Sequence, residues 1–231
     1  MIYPRRFSGL IAFPFMIKVY LLKVIYYVYI LTSISDLREV PDHQEILLSP
    51  TTLSNLIIEI NERVTREEAI SPLDEPRVDG PHANNTQTED IAAALYHLRD
   101  INDEGDRMEV INPPRPVTLG KFSSGPQQPS AYAGLVSFTR RGWSIPIPVP
   151  FDGDTAGSST TGPRLSTYSC HFLLIRLGPQ QTDLLVFVNV PHEEFDLRGN
   201  PSALSREEDL ASGLLRKLIE TLEIRNWGLF G

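Results

Sequence analysis

The sequence predicts an α+β protein in which an antiparallel β-sheet is sandwiched between helices. Two apolar runs rich in β-branched residues, 165–177 and 182–190, flank a four-residue turn and predict a β-hairpin. The predicted segments follow the order β, α, α, β, β, β, β, α, and their links are typical of hairpins, which favours antiparallel pairing with helices packed on the sheet. With 231 residues and 41% hydrophobic content, the chain can bury one sizeable core, so we expect one domain over residues 34–231.

The first strand and the first helix are expected between residues 43 and 64. Residues 43–48 follow a turn at Pro41 and have the composition of a strand. Thr51 or Thr52 can cap a helix that runs to about Val64. Apolar residues recur along this stretch at i, i+3, i+4 and i+7, which is the spacing of one helix face. They are Leu53, Leu56, Ile57 and Ile60.

Two polar insertions and a second helix are expected in the middle of the chain. Residues 70–87 are rich in Pro, Asp, Asn and Gly and contain few apolar side chains, so they predict a loop insertion. Thr88 begins a second helix, which is expected over residues 91–101. A second insertion, near 144–163, has the Gly-, Ser-, Thr- and Pro-rich composition of a loop.

Two more strands lie between the second helix and the hairpin. Residues 108–111 are expected to form a short strand that Pro113 and Pro114 stop. Residues 132–139 form another strand candidate, which follows a linker at 123–130.

The last helix has a start signal and an apolar stripe. Ser205 and Glu208 match the Ser-x-x-Glu capping box, which predicts that the helix begins there and runs to about residue 222. Leucines follow one another along a single face of it. They are Leu210, Leu214, Leu218 and Leu222.

The charge and the cysteine content restrict the partners and the compartment. The net charge is −8, and residues 1–30 contain four basic residues and no acid, so the remaining chain has 29 acidic against 17 basic residues. An acidic body argues against nucleic acid as a partner and suits a basic protein. Cys170 is the single cysteine, so the chain has no intrachain disulfide, which favours the cytosol or the nucleus.

Residues 1–33 form an atypical hydrophobic N-terminal extension. The stretch 10–31 is about long enough to cross a bilayer, and Arg5 and Arg6 precede it as in a signal anchor. Lys18 and Lys23 lie inside the stretch, where charges are costly. Three interpretations therefore stay open for the extension: a membrane anchor, an aromatic strand-like extension, or translated non-coding sequence.

The sequence offers little support for catalytic or metal chemistry. It contains no G-x-x-x-x-G-K-[ST] phosphate loop, so the protein is not itself a GTPase, and its five histidines form no H-E-x-x-H pattern. Cys170 and His171 are neighbours in a predicted strand, and neighbours in a strand point to opposite faces, so they do not form a nucleophile–base pair. We expect Cys170 to be a core residue and the protein to be a non-enzyme without metal or cofactor.

Several motifs in order along the chain carry a family resemblance. SDLREVPDHQE spans residues 35–45, NLIIEINE spans 55–62, QTDLLVFVNVP spans 181–191, and the chain ends in WGLFG. Together they resemble the Ran guanine-nucleotide release factors, the Mog family, whose fold is an α/β/α sandwich shared with PsbP-like proteins. The resemblance implies a protein of nucleus and cytoplasm that binds the GTPase Ran, promotes release of its guanine nucleotide and supports nuclear protein import. Other Ran-binding proteins are further expected partners.

The resemblance also implies which residues bind Ran. Glu59 and Glu62 match two family carboxylates implicated in gripping Ran; at i, i+3 on the predicted helix they would share one exposed face. From spacing alone, a solvated helix face is the favoured explanation, and the resemblance shifts the preference towards Ran binding. A secondary contact patch is expected beside the helix, formed by Asp36, Arg38, Asp42 and Glu45.

A second function from another class also fits the sequence. If the N-terminal stretch is a real anchor, the chain is a membrane-tethered PsbP-like scaffold that binds something other than Ran. The two interpretations differ in whether residues 10–31 enter a membrane.

Overall fold

A computed structural model describes residues 31–33, 41, 43–70, 85–103, 105–122, 128–141, 165–197, 201–224 and 227. The strands are β1 Thr32–Ser33, β2 Gln44–Leu48, β3 Asn55–Glu62, β4 Arg107–Pro116, β5 Ser130–Arg141, β6 Leu165–Leu177 and β7 Thr182–Pro191. The helices are α1 Arg66–Ala69, α2 Asn85–Asp100, α3 Glu193–Leu197 and α4 Pro201–Thr221, with a 3₁₀ turn at Gly178–Gln180.

The strands form one seven-stranded antiparallel sheet in the order β1-β2-β3-β7-β6-β5-β4. Helix α4 packs on one face, where its apolar side chains meet β3, β6 and β7. Helix α2 packs on the other face, through Ala93, Ala94 and Leu98 against the phenylalanines Phe138 and Phe172. The predicted fold class, an antiparallel sheet sandwiched between helices, is confirmed.

The predicted hairpin is confirmed as β6 and β7 in the middle of the sheet. The 3₁₀ turn and Gln181, in the left-handed conformation at φ 49°, join the two strands. Side chains alternate between the faces, so Cys170 is buried on the α2 face while His171 faces α4. The prediction of Cys170 as a core residue is therefore confirmed, and its thiol and the His171 ring lie on opposite faces.

The predicted helix over residues 51–64 is wrong, because this stretch forms β3. Ser49 and Ser54 close a tight turn through their backbone groups at 2.9 Å, and the Ser49 hydroxyl accepts the N–H groups of Thr51 and Thr52. The chain therefore reverses instead of starting a helix. Strand β3 then pairs with β2 on one side and β7 on the other, and this pairing satisfies the backbone hydrogen bonds of the strand. Its β-branched isoleucines also favour a strand over a helix.

Two other elements extend beyond their predicted ends. Helix α2 begins at Asn85, so residues 85–87 belong to it rather than to the predicted loop, while residues 71–84 lie outside the described part. Strand β4 continues through Pro113 and Pro114 instead of stopping there. It tolerates prolines because it is an edge strand, and its register with β5 shifts on both sides of Asn112.

The predicted capping box at Ser205 is also wrong. Helix α4 starts at Pro201, so Ser205 lies within it, and Glu208 contacts the sheet instead of the helix backbone. Leu214, Leu218 and Leu222 are buried as expected, but Leu210 is 48% exposed. The buried stripe runs through Ala211 instead.

The N-terminal stretch 1–30 and the insertion near 144–163 lie outside the described residues. Among the helices that the structure describes, none is both long and apolar enough to span a membrane.

Candidate functional site

Glu59 and Glu62 lie on β3, and their side chains point to opposite faces of the sheet. Glu59 is directly opposite Leu185 of β7, which belongs to the α2-face core. Its side chain is 15% exposed, and its Oε1 lies 3.9 Å from Nε2 of His43. Glu62, three residues later, ends the strand and is exposed. The expectation of one shared exposed face is wrong, because a period of two separates positions that a helix would bring together.

Further carboxylates follow Glu62 along the chain. Thr65 caps the short helix α1 in a capping box with Glu68, and Glu67 is exposed beside it. Arg66 pairs with Glu89 of α2 at 3.2 Å, which ties this corner to the neighbouring helix. We refer to the exposed carboxylates Glu62, Glu67 and Glu68, which alternate along the chain with Arg63 and Arg66, as the acidic corner at the end of β3.

A buried polar network lies beneath this corner. Arg176 Nε donates to Asp183 Oδ1 at 3.1 Å, and its Nη1 donates to Asp90 Oδ1 at 2.8 Å. Its Nη2 donates to the backbone carbonyl of Val64. Asp183 Oδ2 accepts the Val64 N–H and His97 Nε2–H, each at 3.0 Å. This Arg176 network therefore fixes the backbone between β3 and α1, and with it the position of Glu62.

Tyr132 of β5 extends the same network. Burial, followed by the negative charge of Asp90, raises the pKa of the Tyr132 hydroxyl to about 12. The hydroxyl thus remains protonated at neutral pH and available as a donor to Asp90. The network was missed in the sequence, although one signal was present: Arg176 and Asp183 flank the hairpin turn symmetrically and face each other across it.

The predicted secondary patch is only partly described. Glu45 is 7% exposed, and its Oε1 accepts the hydroxyl of Ser33 at 2.6 Å. It lies opposite Ile58, whose side chain faces α4, so Glu45 does not share a face with Glu59. Its expected place on an exposed patch beside Glu59 is therefore wrong. Asp36, Arg38 and Asp42 lie outside the described residues.

A second polar cluster lies on the α4 face and is also absent from the sequence predictions. The Glu208 carboxylate of α4 accepts hydrogen bonds from His171 Nε2 at 2.7 Å and from His192 Nε2 at 3.3 Å. Ser169 Oγ lies 2.8 Å from the same His192 nitrogen. Burial would raise the pKa of Glu208, but hydrogen bonds from His171, His192 and Ser169 outweigh it and lower the pKa to about 2. We refer to these four residues as the Glu208 cluster.

The Glu208 cluster does not have the geometry of a serine–histidine–carboxylate relay. In such a relay the carboxylate holds one ring nitrogen of the histidine and the hydroxyl the other. Here both the Ser169 hydroxyl and the Glu208 carboxylate contact Nε2 of His192. The part of the chain that the structure describes also holds no group of His, Cys, Asp and Glu arranged for a metal ion.

Comparisons with known proteins place the chain in a family. The sequence model of the family described as "Ran-interacting Mog1 protein" matches residues 30–191. No curated protein matches the sequence. Among solved structures, a mutant of the protein Mog1 is 17% identical, covers 87% of this chain and 89% of its own, and gives a TM-score of 0.48. The Ran-binding protein Mog1p of Saccharomyces cerevisiae is 18% identical at the same coverage, with a TM-score of 0.47.

The matched range contains three of the four motifs that suggested the family from the sequence. It includes the segment before β2, strand β3 with both of its glutamates, and the β6–β7 hairpin. Since the match spans well over half of the 231 residues, the chain belongs to the Ran-interacting Mog1 protein family.

Proposed function

We propose that this chain binds the GTPase Ran, promotes release of its guanine nucleotide and thereby supports nuclear protein import. The observation that carries the proposal is the family match over residues 30–191, which includes both β3 glutamates. The protein acts as a binding partner rather than as an enzyme.

The acidic corner is the proposed primary contact with Ran. Glu62 is exposed, at the end of a strand that the buried Arg176 network holds in place, so little backbone freedom is lost when a basic partner binds it. Glu67 and Glu68 add exposed negative charge on α1, where Arg66 is already paired with Glu89, and this charge favours encounter with a basic patch. Glu59 is more shielded and would contribute at the rim through its exposed fraction, next to His43.

Nucleotide release sets a thermodynamic condition on this contact. A binding protein promotes release only if it binds nucleotide-free Ran more tightly than nucleotide-bound Ran. Carboxylates suit that condition because they form charge-assisted hydrogen bonds with basic groups, which nucleotide phosphates otherwise occupy. Binding and release should therefore weaken together when the Glu62 charge is reversed.

The test uses the purified chain and Ran loaded with fluorescent GDP or GTP. We expect Glu62→Lys to weaken Ran binding by about 30-fold or more, since losing one partner of an interfacial charge pair costs about 2 kcal/mol or more. Glu59→Gln, which keeps the side-chain shape, should have a smaller effect. The matched control is Glu109→Lys, an exposed charge reversal on β4 at the opposite edge of the sheet.

The melting temperature of each variant separates binding from folding. Glu62 is exposed, so its replacement should change stability by no more than about 0.5 kcal/mol. Wild-type affinity and release rates in the Glu62→Lys protein would contradict the acidic corner as the contact. Failure of the wild-type chain to bind Ran at all would contradict the function itself.

We further propose that the protein resides in the nucleus and the cytoplasm. Fractionation of the untagged native product should recover it with soluble proteins. Membrane association that resists carbonate extraction would instead support the tethered scaffold.

A further inference from the structure

A cleft of about 320 Å³ opens on the α4 face, where β2 turns into β3. We refer to it as the turn cleft. Val188 and Val190 of β7 and Leu214 of α4 form an apolar wall, and the turn forms another wall through Ser49 and Thr51. The acidic corner lies at the other end of β3, so the two surfaces are separate.

The turn that forms this second wall is tied to both helices of the α4 face. Thr52 Oγ1 donates to Glu207 Oε1 of α4 at 2.8 Å, and the Leu53 N–H donates to Glu194 Oε2 of α3 at 2.6 Å. These hydrogen bonds fix the turn relative to α4. The turn cleft is therefore preformed, as binding sites usually are.

Glu207 places a negative charge in the turn cleft. Its side chain lines the cleft and is partly buried, and the group that donates to it is the neutral Thr52 hydroxyl. None of the ion pairs between described residues involves Glu207. Arg206 and Asp209, its exposed neighbours on α4, have opposite charges and offset each other. A carboxylate in a largely apolar cleft thus favours a ligand that supplies a positive charge.

The apolar surface at this place is larger than the cleft. Because an apolar cavity of about 150 Å³ holds benzene, the turn cleft has room for about two leucine-sized side chains. Leu210 lines the cleft but is 48% exposed, and Leu53 in the turn is 61% exposed. A small molecule inside the cleft would leave the outer part of Leu210 in water, whereas a protein segment that crosses the rim covers it.

We propose that the turn cleft binds a segment of a partner protein in which two leucine-sized side chains adjoin a lysine or an arginine. The apolar side chains pack against Val188, Ala211 and Leu214, and the cation pairs with Glu207. The rest of the segment covers Leu210. Since this surface is separate from the proposed contact with Ran, the chain can hold a second protein while the acidic corner is occupied.

The experiment measures peptide binding to the full-length chain by NMR. The probe is the peptide GSKLLKSG with acetylated and amidated ends, and the amide signals of Thr51, Thr52 and Leu53 report on the turn. We expect saturable shifts of these signals. Replacing both leucines of the peptide by serine, or both lysines by glutamate, should weaken binding at least about tenfold.

Glu207→Gln tests the charge in the cleft. The amide keeps an oxygen that accepts the Thr52 hydroxyl, so the turn stays tied to α4 while the negative charge is lost. We expect the preference for the lysine peptide over the glutamate peptide to fall at least about threefold. The matched control is Asp209→Asn, which removes an exposed charge from the same helix and should leave this preference unchanged.

Leu210→Ser tests the apolar rim. We expect it to weaken binding of the leucine peptide at least about threefold, because part of the apolar contact is lost. The control is Val110→Ser, an exposed apolar residue on β4 at the other edge of the sheet, and it should bind like wild type. The melting temperature checks that each variant is folded, and the peptide series on the wild-type chain keeps the test valid if one is not.

Two results would overturn the proposal. One is the absence of saturable shifts up to about 1 mM peptide, or equal affinities for the three peptides. The other concerns a second copy of the chain as the occupant, which sedimentation velocity of the protein alone detects. A dimer that Leu210→Ser separates would assign the turn cleft to self-association.

A monomer with the expected order of peptide affinities supports the partner segment.

Discussion

The two faces of the sheet hold polar groups in different surroundings. On the α2 face, Arg176, Asp183, Asp90 and His97 are all buried, and every contact within the Arg176 network joins groups sealed from water. On the α4 face, the Glu208 cluster reaches the surface, since the side chains of Glu208 and His192 are each about a quarter exposed. The Arg176 network is therefore closed to solvent between the sheet and α2, and the Glu208 cluster is open to solvent on one side.

This difference separates two roles for buried charge. In the closed network, removing one partner leaves the other charges without compensation and without water. In the open cluster, water can replace a lost partner, and the lowered pKa of Glu208 makes its contribution to stability depend on pH. We therefore expect the α2 face to determine overall stability and the α4 face to determine acid sensitivity.

The largest expected effect is that of Arg176→Met. This change keeps much of the side-chain volume but leaves Asp90 and Asp183 buried together, so we expect a loss of about 3–5 kcal/mol in the free energy of unfolding. Urea denaturation measures it. Arg66→Met is the matched control, because the Arg66–Glu89 pair is exposed and should contribute at most about 1 kcal/mol. Equal losses for the two variants would remove the distinction between the closed network and a surface pair.

The next effect concerns Glu208→Gln and is pH-dependent. The folded-state pKa of Glu208, about 2, lies below its ordinary value of 4.5. The Glu208 charge therefore contributes its full stabilisation of the folded state above about pH 4.5, and this stabilisation is lost as the pH falls towards about 2. At about 1.4 kcal/mol per pKa unit, the contribution of the Glu208 charge to stability is at most about 3.5 kcal/mol.

Urea unfolding at several pH values tests this expectation. The stability difference between wild type and Glu208→Gln should be largest near neutral pH and should shrink as the pH falls below about 4.5. Asp209→Asn, an exposed neighbour, should show no such trend. A difference that stays constant down to about pH 3 would mean that the Glu208 charge does not titrate with folding.

The smallest effect is expected at the rim of the α4 face. Thr52→Val removes the hydrogen bond to Glu207 and should cost about 1 kcal/mol. Thr51→Val next to it removes only an exposed contact at 3.5 Å and should fall within about 0.5 kcal/mol. The melting temperatures of the pair report the difference. Identical values would show that the tether between the turn and α4 contributes no stability.

The parts of the fold that could be predicted from sequence are those whose pattern of apolar residues fits only one type of secondary structure. The β6–β7 runs are apolar on both faces and joined by a Gly-Pro turn, and a proline at that point would interrupt a helix running through both segments. The prediction for β3 failed because its apolar residues fit the helix period and the strand period at once. Leu56, Ile57 and Ile60 fit a helix face, while Leu56, Ile58 and Ile60 alternate as in a strand. Pairing with β2 and β7 selected the strand, and that information is not local.

The candidate site could be predicted only in its residue types. The family resemblance pointed to Glu59 and Glu62, but the wrong element gave them the wrong relative orientation. The Arg176 network joins residues from position 64 to position 183 on five elements or their flanks, so its assembly depends on the tertiary fold. Only the cross-strand pair of Arg176 and Asp183 could have been deduced from the predicted hairpin.

The irregular strand β4 has a consequence for how molecules of this protein behave beside one another. A regular edge strand invites a second sheet to add to it and so promotes aggregation. Here prolines and register shifts interrupt the hydrogen-bonding edge of β4, while the opposite edge of the described sheet is the two-residue strand β1. Val110 and Ile111 are exposed on β4, and we expect the interrupted edge to keep these apolar side chains from recruiting further copies of the chain.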